Sequence, residues 1–231
     1  MKRLLFGIFA HPDDEAFGPS ATLMKLTEDG TELHLICLTD GQNGMNPDKL
    51  VDLGKTRLAE WRQAGTEIGA AGLYNLGYVD GTLCNNMYHE IADKISAIVH
   101  TAANQHANPV TVDFMSFDVN GITGHLDHIA ASYIATYVFY RLKDRPPENI
   151  TMRQFYYFCL SASQCPNIST SFVFMDKGRP ADYIDHVENV SQWVDKKFAI
   201  MQLHHSQRAD AQAAMKVDHR FHLRDNFCVR S

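Results

Sequence analysis

Seven residues, Leu4-Leu5-Phe6-Gly7-Ile8-Phe9-Ala10, run without a linker into His11-Pro12-Asp13-Asp14-Glu15. The first stretch is too short for a helix and too uniformly apolar for a half-exposed strand, so it reads as a strand buried on both faces. Strands of that kind belong to α/β sheets with helices packed on either side. In such sheets ligands collect at the carboxyl ends of the strands. An imidazole and three carboxylates delivered to that edge supply donors for a hard-to-borderline cation and a base for an activated water.

The rest of the chain keeps the same alternation. A helix starting at Pro19-Ser20 and stopped by Gly30 leads to a strand over 31–39, then to the turn-rich loop Asp40-Gly41-Gln42-Asn43-Gly44. Leu53, Leu58, Trp61, Ala64 and Ile68 recur at helical spacing and predict a helix from about Val51 to Ala71. A strand near 74–78, a helix over 88–102 and a strand over 110–117 follow. Asp118 to Gly124 is a flexible loop, and His125-Leu126-Asp127-His128 opens a helix reaching about Tyr140. Strands at 155–160 and 183–187 precede a last long helix over 191–215. The expected fold class is α/β, a single Rossmann-like three-layer domain over 1–231, its mostly parallel sheet covered by helices on both faces. With 231 residues and 45% hydrophobic content the chain can bury one core of that size.

Charge and composition remove several classes of function. A net charge of −6 and scattered basic residues give no footprint for nucleic acid and no polybasic membrane patch. No apolar run approaches the roughly 20 residues that cross a bilayer. Lys2-Arg3 ahead of the apolar run imitates a signal peptide. The run ends in histidine and acids instead of a small-residue cleavage site, and it is assigned to the first strand. Cys37, Cys84, Cys159, Cys165 and Cys228 are widely spaced with no C-x-x-C pair. They read as reduced thiols, which points to the cytoplasm and away from a thiolate zinc site. No G-x-G-x-x-G follows the first strand, so the ordinary dinucleotide reading falls away.

Two clusters carry chemistry. His11 and Asp14 stand at the end of the first strand, and His125, Asp127 and His128 stand at a second strand-to-helix junction. If both junctions meet at one sheet edge, two histidines and a carboxylate can converge on a cation and leave a position open, as a catalytic zinc requires. Asp13 is then a spare carboxylate beside the ligand Asp14, suited to take a proton from an attacking water. Each cluster alone has a structural alternative: acids favoured at a helix N-terminus, or a capped helix start with exposed histidines. Their joint occurrence at two strand mouths favours the metal centre.

The pattern A-H-P-D-D-E after a first strand, with H-x-D-H far downstream, resembles the LmbE-like, PIG-L type N-deacetylases. Further landmarks are similar in order over residues 4 to 207: Leu38-Thr39-Asp40-Gly41, Arg57-Leu58-Ala59-Glu60, Leu76-Gly77 through Asp80-Gly81, and His204-His205-Ser206-Gln207. Gln42 departs from the Glu usual in that loop. Members of the family are zinc-dependent enzymes that remove an acyl group, usually acetyl, from an N-acylglucosamine unit. The resemblance implies that His11, Asp14 and His128 bind the metal and that Asp13 is the general base. It implies that His125, oriented by Asp127, stabilises the tetrahedral oxyanion or protonates the leaving amine. It further implies that Arg57 and Asp80 contact sugar hydroxyls or attached groups, with pairing of Arg57 to Glu60 or to a buried acid as the alternative. Glu15 stands between a partner of His11 and a helix-start acid. His34, His204 and His205 read as packing or hydrogen-bonding residues.

The expected function is therefore hydrolysis of an N-acyl group from an N-acetylglucosamine-containing or related small amide. It would use one divalent metal, Zn2+ in the first place and Fe2+ as the other ion such donors suit. The competing readings are a non-catalytic metal- or sugar-binding module and a non-haem iron oxygenase. The filled base and acid positions disfavour the first, and the spare carboxylate Asp13 disfavours the second. The expected partner is a small molecule, with no nucleic acid and no membrane segment, and the sequence leaves oligomerisation open. Gln42 to Pro47 and Ser161 to Pro180 are the expected rim of the pocket.

Overall fold

Strands β1 (Lys2–Phe9), β2 (Glu32–Thr39), β3 (Gly72–Tyr78), β4 (Val110–Phe117), β5 (Ile150–Cys159), β6 (His186–Asn189) and β7 (Arg224–Arg230) form one sheet in the order β3-β2-β1-β4-β5-β7-β6. The first five strands of that order are parallel, and β7 runs antiparallel to both β5 and β6. The computed structural model describes residues 1–165, 178–216 and 219–231. Helices are α1 (Asp14–Phe17), α2 (Ser20–Glu28), α3 (Leu53–Ile68), α4 (Tyr88–Ala103), α5 (Gly121–Gly124), α6 (Leu126–Asp144), α7 (Val194–Leu203) and α8 (Arg208–Met215).

The sequence explains the layers. From Leu4 onward every residue of β1 is buried, as a central strand flanked by two parallel neighbours requires. Helices α4 and α6 pack together, while α2, α3 and α7 form a second group. Right-handed crossovers on either side of β1 put these groups on opposite faces. Asp52 caps α3 by accepting from the Lys55 amide at 3.0 Å, and Gly69, at φ +91°, closes it in the left-handed region. Trp61, Ala64 and Ile68 on its inner side join the core.

The strand order reverses at β1: the chain walks outward through β2 and β3, then returns to place β4 on the other flank. The loops after β1 and β4 therefore emerge side by side at a topological switch point, where open α/β sheets bind their ligands. The loops after β2 and β3 leave from the same edge.

Several expectations are corrected: the strand expected over 183–187 starts only at His186, after a short helical turn at Ala181–Tyr183. The single helix expected over 191–215 is α7 and α8, separated at His204, whose φ of −80° and ψ of 61° leave the helical region. The Ser206 amide and hydroxyl turn instead to Glu60 on α3, at 2.8 and 2.6 Å. Strand β7 was not anticipated, because Arg224-Asp225-Asn226 gives it a polar start and only Phe227-Cys228-Val229 is apolar. A one-turn helix, α1, also precedes the helix expected at Ser20. The five cysteines make no disulfide among the described residues. No described helix is long and apolar enough to cross a membrane. Within the expected rim, residues 166–177 lie outside the described residues.

Candidate active site

The two sequence clusters meet. His11 Nδ1 lies 3.1 Å from His128 Nε2, Asp14 Oδ1 lies 3.2 Å from His128 Nε2, and Asp14 Oδ2 lies 3.6 Å from His11 Nδ1. Donors about 2.0–2.2 Å from a tetrahedral zinc stand roughly 3.3–3.5 Å from one another. The triangle has the dimensions to hold such an ion.

Its tautomers agree with that use. His128 Nδ1 is 3.0 Å from the Gly121 carbonyl, which can only accept, so that nitrogen carries the proton and Nε2 turns a lone pair inward. His11 Nε2 faces Asp80 Oδ1 at 3.0 Å and Asp127 Oδ2 at 3.4 Å, so when His11 is neutral its proton sits on Nε2 and Nδ1 offers its lone pair. A proton shared between His11 Nδ1 and His128 Nε2, or a cation held between them and Asp14, satisfies this set of facing acceptors. Ligand histidines commonly have the other ring N–H fixed by a carboxylate or carbonyl in this way. The His128 ring also lies flat on Phe117, with centroids 4.2 Å apart.

The surrounding charge makes the same demand. Asp13, Asp14, Asp80 and Asp127 are all buried, and Arg57 is the one buried guanidinium among them. The facing oxygens of Asp80 and Asp127 are within 4.8 Å, where like charges repel by about 3–4 kcal/mol at an effective dielectric of about 20. Burial alone would keep His11 neutral, but the carboxylates of Asp14, Asp127 and Asp80 outweigh it and raise its pKa to about 12. Burial likewise opposes charge on Asp14, and His128 and His11 overcome it to hold the carboxyl well below the usual range. The site favours positive charge at its centre.

Two other donor sets share His11. His11, His125 and His128 offer nitrogens within 4.8 Å of one another, and so do His11, Asp80 and Asp127 with their donor atoms. In the first set His125 already uses Nδ1 to accept from the Asp127 amide at 3.2 Å. The second set engages the outer nitrogen of His11. Asp127 in that set is also bonded to the Gly81 and Leu83 amides at 2.7 and 3.1 Å. It serves as an outer support.

Asp13 sits beside the triangle. Its Oδ2 accepts from Arg57 Nη2 at 2.8 Å, and its Oδ1 has no hydrogen bond among the described residues. Arg57 also donates from Nη1 to the Gly41 carbonyl at 2.7 Å. The possible Arg57–Glu60 pairing is not formed, since Glu60 accepts from Ser206. Arg57 and Asp80 are both turned onto side chains of the site, Asp13 and His11 respectively. The carboxylate of Asp127 is directed at His11 and the 81–83 backbone; it is the Asp127 amide that orients His125. With Nδ1 accepting, neutral His125 carries its proton on Nε2, and its side chain is exposed at the mouth. Burial and the neighbouring His11 and His128 lower its pKa.

The loop that presents these histidines is strained. Ile122, a β-branched residue, has φ +64° and ψ −62°, a conformation L residues rarely take, and the Asn120 side chain caps its amide at 3.0 Å. Sequence reasoning had no signal for this, nor for the role of Gln42, whose Oε1 accepts from the Asp80 amide at 3.1 Å.

Comparison with known proteins bears on this arrangement. Residues 6–139 match the family described as PIG-L, GlcNAc-PI de-N-acetylase. The chain belongs to the PIG-L family. Over 135 residues it is 33% identical to a probable N-acetyl-alpha-D-glucosaminyl L-malate deacetylase 2 of Bacillus cereus, covering 56% of this chain and 58% of that one. The chain thus spans little more than half the length of this curated relative. Its fold resembles N,N'-diacetylchitobiose deacetylase from Pyrococcus horikoshii, with a TM-score of 0.70, 17% identity, and 99% and 84% of the two chains covered. It also resembles GalB, the 4-carboxy-2-hydroxymuconate hydratase of Pseudomonas putida, with a TM-score of 0.63, 16% identity, and 100% and 97% covered. A fold shared by a deacetylase and a hydratase does not choose the reaction, so the site must.

Proposed function

We propose that this chain is a divalent-metal-dependent N-deacetylase that frees the amine of an N-acetylglucosamine-containing small molecule, with residues 1–231 acting as one deacetylase domain. The observation that carries the reading is the inward-facing triangle of His11 Nδ1, Asp14 and His128 Nε2 with Asp13 beside it. PIG-L membership and the Bacillus cereus relative support the substrate class. Zn2+ is the ion these donors suit first, with Fe2+ the alternative. The cysteine pattern supports a cytoplasmic setting.

His11, Asp14 and His128 would hold the ion. When bound, it polarises an amide carbonyl and brings a water's pKa near neutrality. Asp13 takes the proton of the attacking water on its free oxygen, while Arg57 fixes the direction of that carboxylate. His125 offers its Nε2–H to the developing oxyanion or to the departing nitrogen, held in that tautomer by the Asp127 amide. Asp80 and the Asp127 carboxylate keep the His11 ring in its ligand orientation.

The test is release of free amine from a panel of N-acetylglucosamine conjugates, with and without chelator. Amine release that stops on chelation and returns with Zn2+ is expected. A metal-loaded protein that releases no amine from any conjugate, or a chelator-insensitive release, overturns the reading.

A further inference from the structure

Behind the ligand turn lies a buried carboxyl–imidazole contact that the reaction above does not use. Glu15 Oε1 is 3.6 Å from His204 Nε2, with the two side chains 1% and 0% exposed. Neither has a hydrogen-bond partner among the described residues. Burying such groups without close hydrogen bonds is unfavourable, and apolar replacements of buried pairs are often neutral or stabilising. The contact is a poor device for stability alone.

Its position suggests another use. Lys197, on α7 and seven residues before the His204 that ends it, is also buried. Its Nζ donates to the Gly18 carbonyl at 2.5 Å and lies 3.7 Å from Asp225 Oδ1. His204 thus meets the first turn of α1, and Lys197 meets the residue that ends it. Helix α1 is four residues long, too short to hold its own shape. Its backbone links the clamp points directly to the site, since the Ala16 and Phe17 amides donate to the Asp13 carbonyl at 2.9 and 3.0 Å and the Gly18 amide to the Asp14 carbonyl at 2.8 Å. A Cβ at Gly18 would stand 2.7 Å from that same Asp14 oxygen, so the turn has no slack.

We infer that α7 is a two-point clamp on α1, and that His204, through Glu15, and Lys197, through Gly18, are positioning residues for the ligand Asp14 and the base Asp13. The inference rests on the metal-centre reading above. Supporting residues of this kind change metal affinity without touching the ion.

The experiment measures the Zn2+ dissociation constant of the full chain by chelator competition, alongside Tm in excess chelator. The double variant Glu15→Leu/His204→Phe removes both buried polar groups together. It is expected to keep the parental Tm while weakening Zn2+ binding by about 10- to 100-fold. Lys197→Met tests the other end and is expected to weaken binding in the same direction. If both variants bind Zn2+ with the parental constant, the clamp is overturned and the metal centre stands. A parent that binds no Zn2+ overturns both.

Discussion

Arg57 reaches across from α3 to donate to Asp13 Oδ2 at 2.8 Å, and both side chains are buried. The same guanidinium holds the Gly41 carbonyl at 2.7 Å, so one planar fork ties the loop after β2 to the carboxylate beside the triangle of His11, Asp14 and His128. Three motifs far apart in the chain are joined here. The R-x-x-E helix supplies Arg57 to Asp13 and Glu60 to Ser206, while the H-x-S-Q segment returns His204 to Glu15. The turn from His11 to Glu15 is thereby held from both sides.

Asp13→Asn should separate base from ligand. Asparagine keeps an oxygen for Arg57 and loses the ability to take a proton. Zinc content should stay at the parental level while turnover falls by roughly 10² to 10⁴. Metal analysis of the purified variant beside steady-state kinetics checks this, and loss of zinc would move Asp13 into the ligand set.

Gly44→Ala should reproduce a loss of Arg57 without changing any charge. A Cβ at Gly44 would meet Arg57 Nη1, and the guanidinium is the part able to move. Displacing it releases Asp13 Oδ2. We expect kcat to fall by about tenfold or more, as for misplacement of a catalytic group, with KM nearly unchanged. An unaltered kcat would mean that the Arg57–Asp13 bond does not govern the base.

The convergence of His11, Asp14 and His128 was legible because both halves are short-range signals: acids and histidines placed just past a buried strand. Strand β1 was legible from its unbroken apolar run, and helix α3 from the helical spacing of its apolar residues. What escaped depends on tertiary partners. Nothing local distinguishes Arg57 bonding to Asp13 from Arg57 pairing with Glu60, and nothing in Asp127 tells that its amide serves His125 while its carboxylate serves His11. The break at His204 has no glycine or proline to mark it, because its cause is Glu60, 144 positions upstream by numbering. Strand β7 hides behind Asp225, a buried acid that accepts from Thr22 on α2 at 2.6 Å.

His125→Asn should test the proposed acid without unfolding its helix. An asparagine can still accept from the Asp127 amide and so retains the cap, whereas His125→Ala also forfeits about 1 kcal/mol of capping. Asparagine cannot become a cationic acid. Turnover should fall roughly 10² to 10⁴-fold in either variant, with Tm lowered only in the alanine one. Parental turnover in both would exclude His125 from the reaction.

Stability should fall on acidification through a group remote from the site. His34 is buried in β2, stacked on Phe6 with centroids 4.9 Å apart, and bonded to Glu32 at 3.2 Å. Burial lowers its pKa below the ordinary 6.5 despite that carboxylate. Burial opposes charge on Glu32 too, yet His106 and His34 hold its carboxyl below the usual 4.5. In both cases the unfolded chain takes up protons before the folded one, so stability is full above the unfolded pKa and declines as pH falls below it. The histidine part begins near pH 6.5 and the carboxylate part near pH 4.5. Calorimetry in excess chelator, which removes any bound metal's contribution, should give a Tm that drops from pH 7 to 5 in the parent. His34→Phe should make that interval shallower, leaving the share of His125, whose pKa is also lowered, and the decline below about pH 4.5. An equally steep drop in the variant would assign the upper transition to another group.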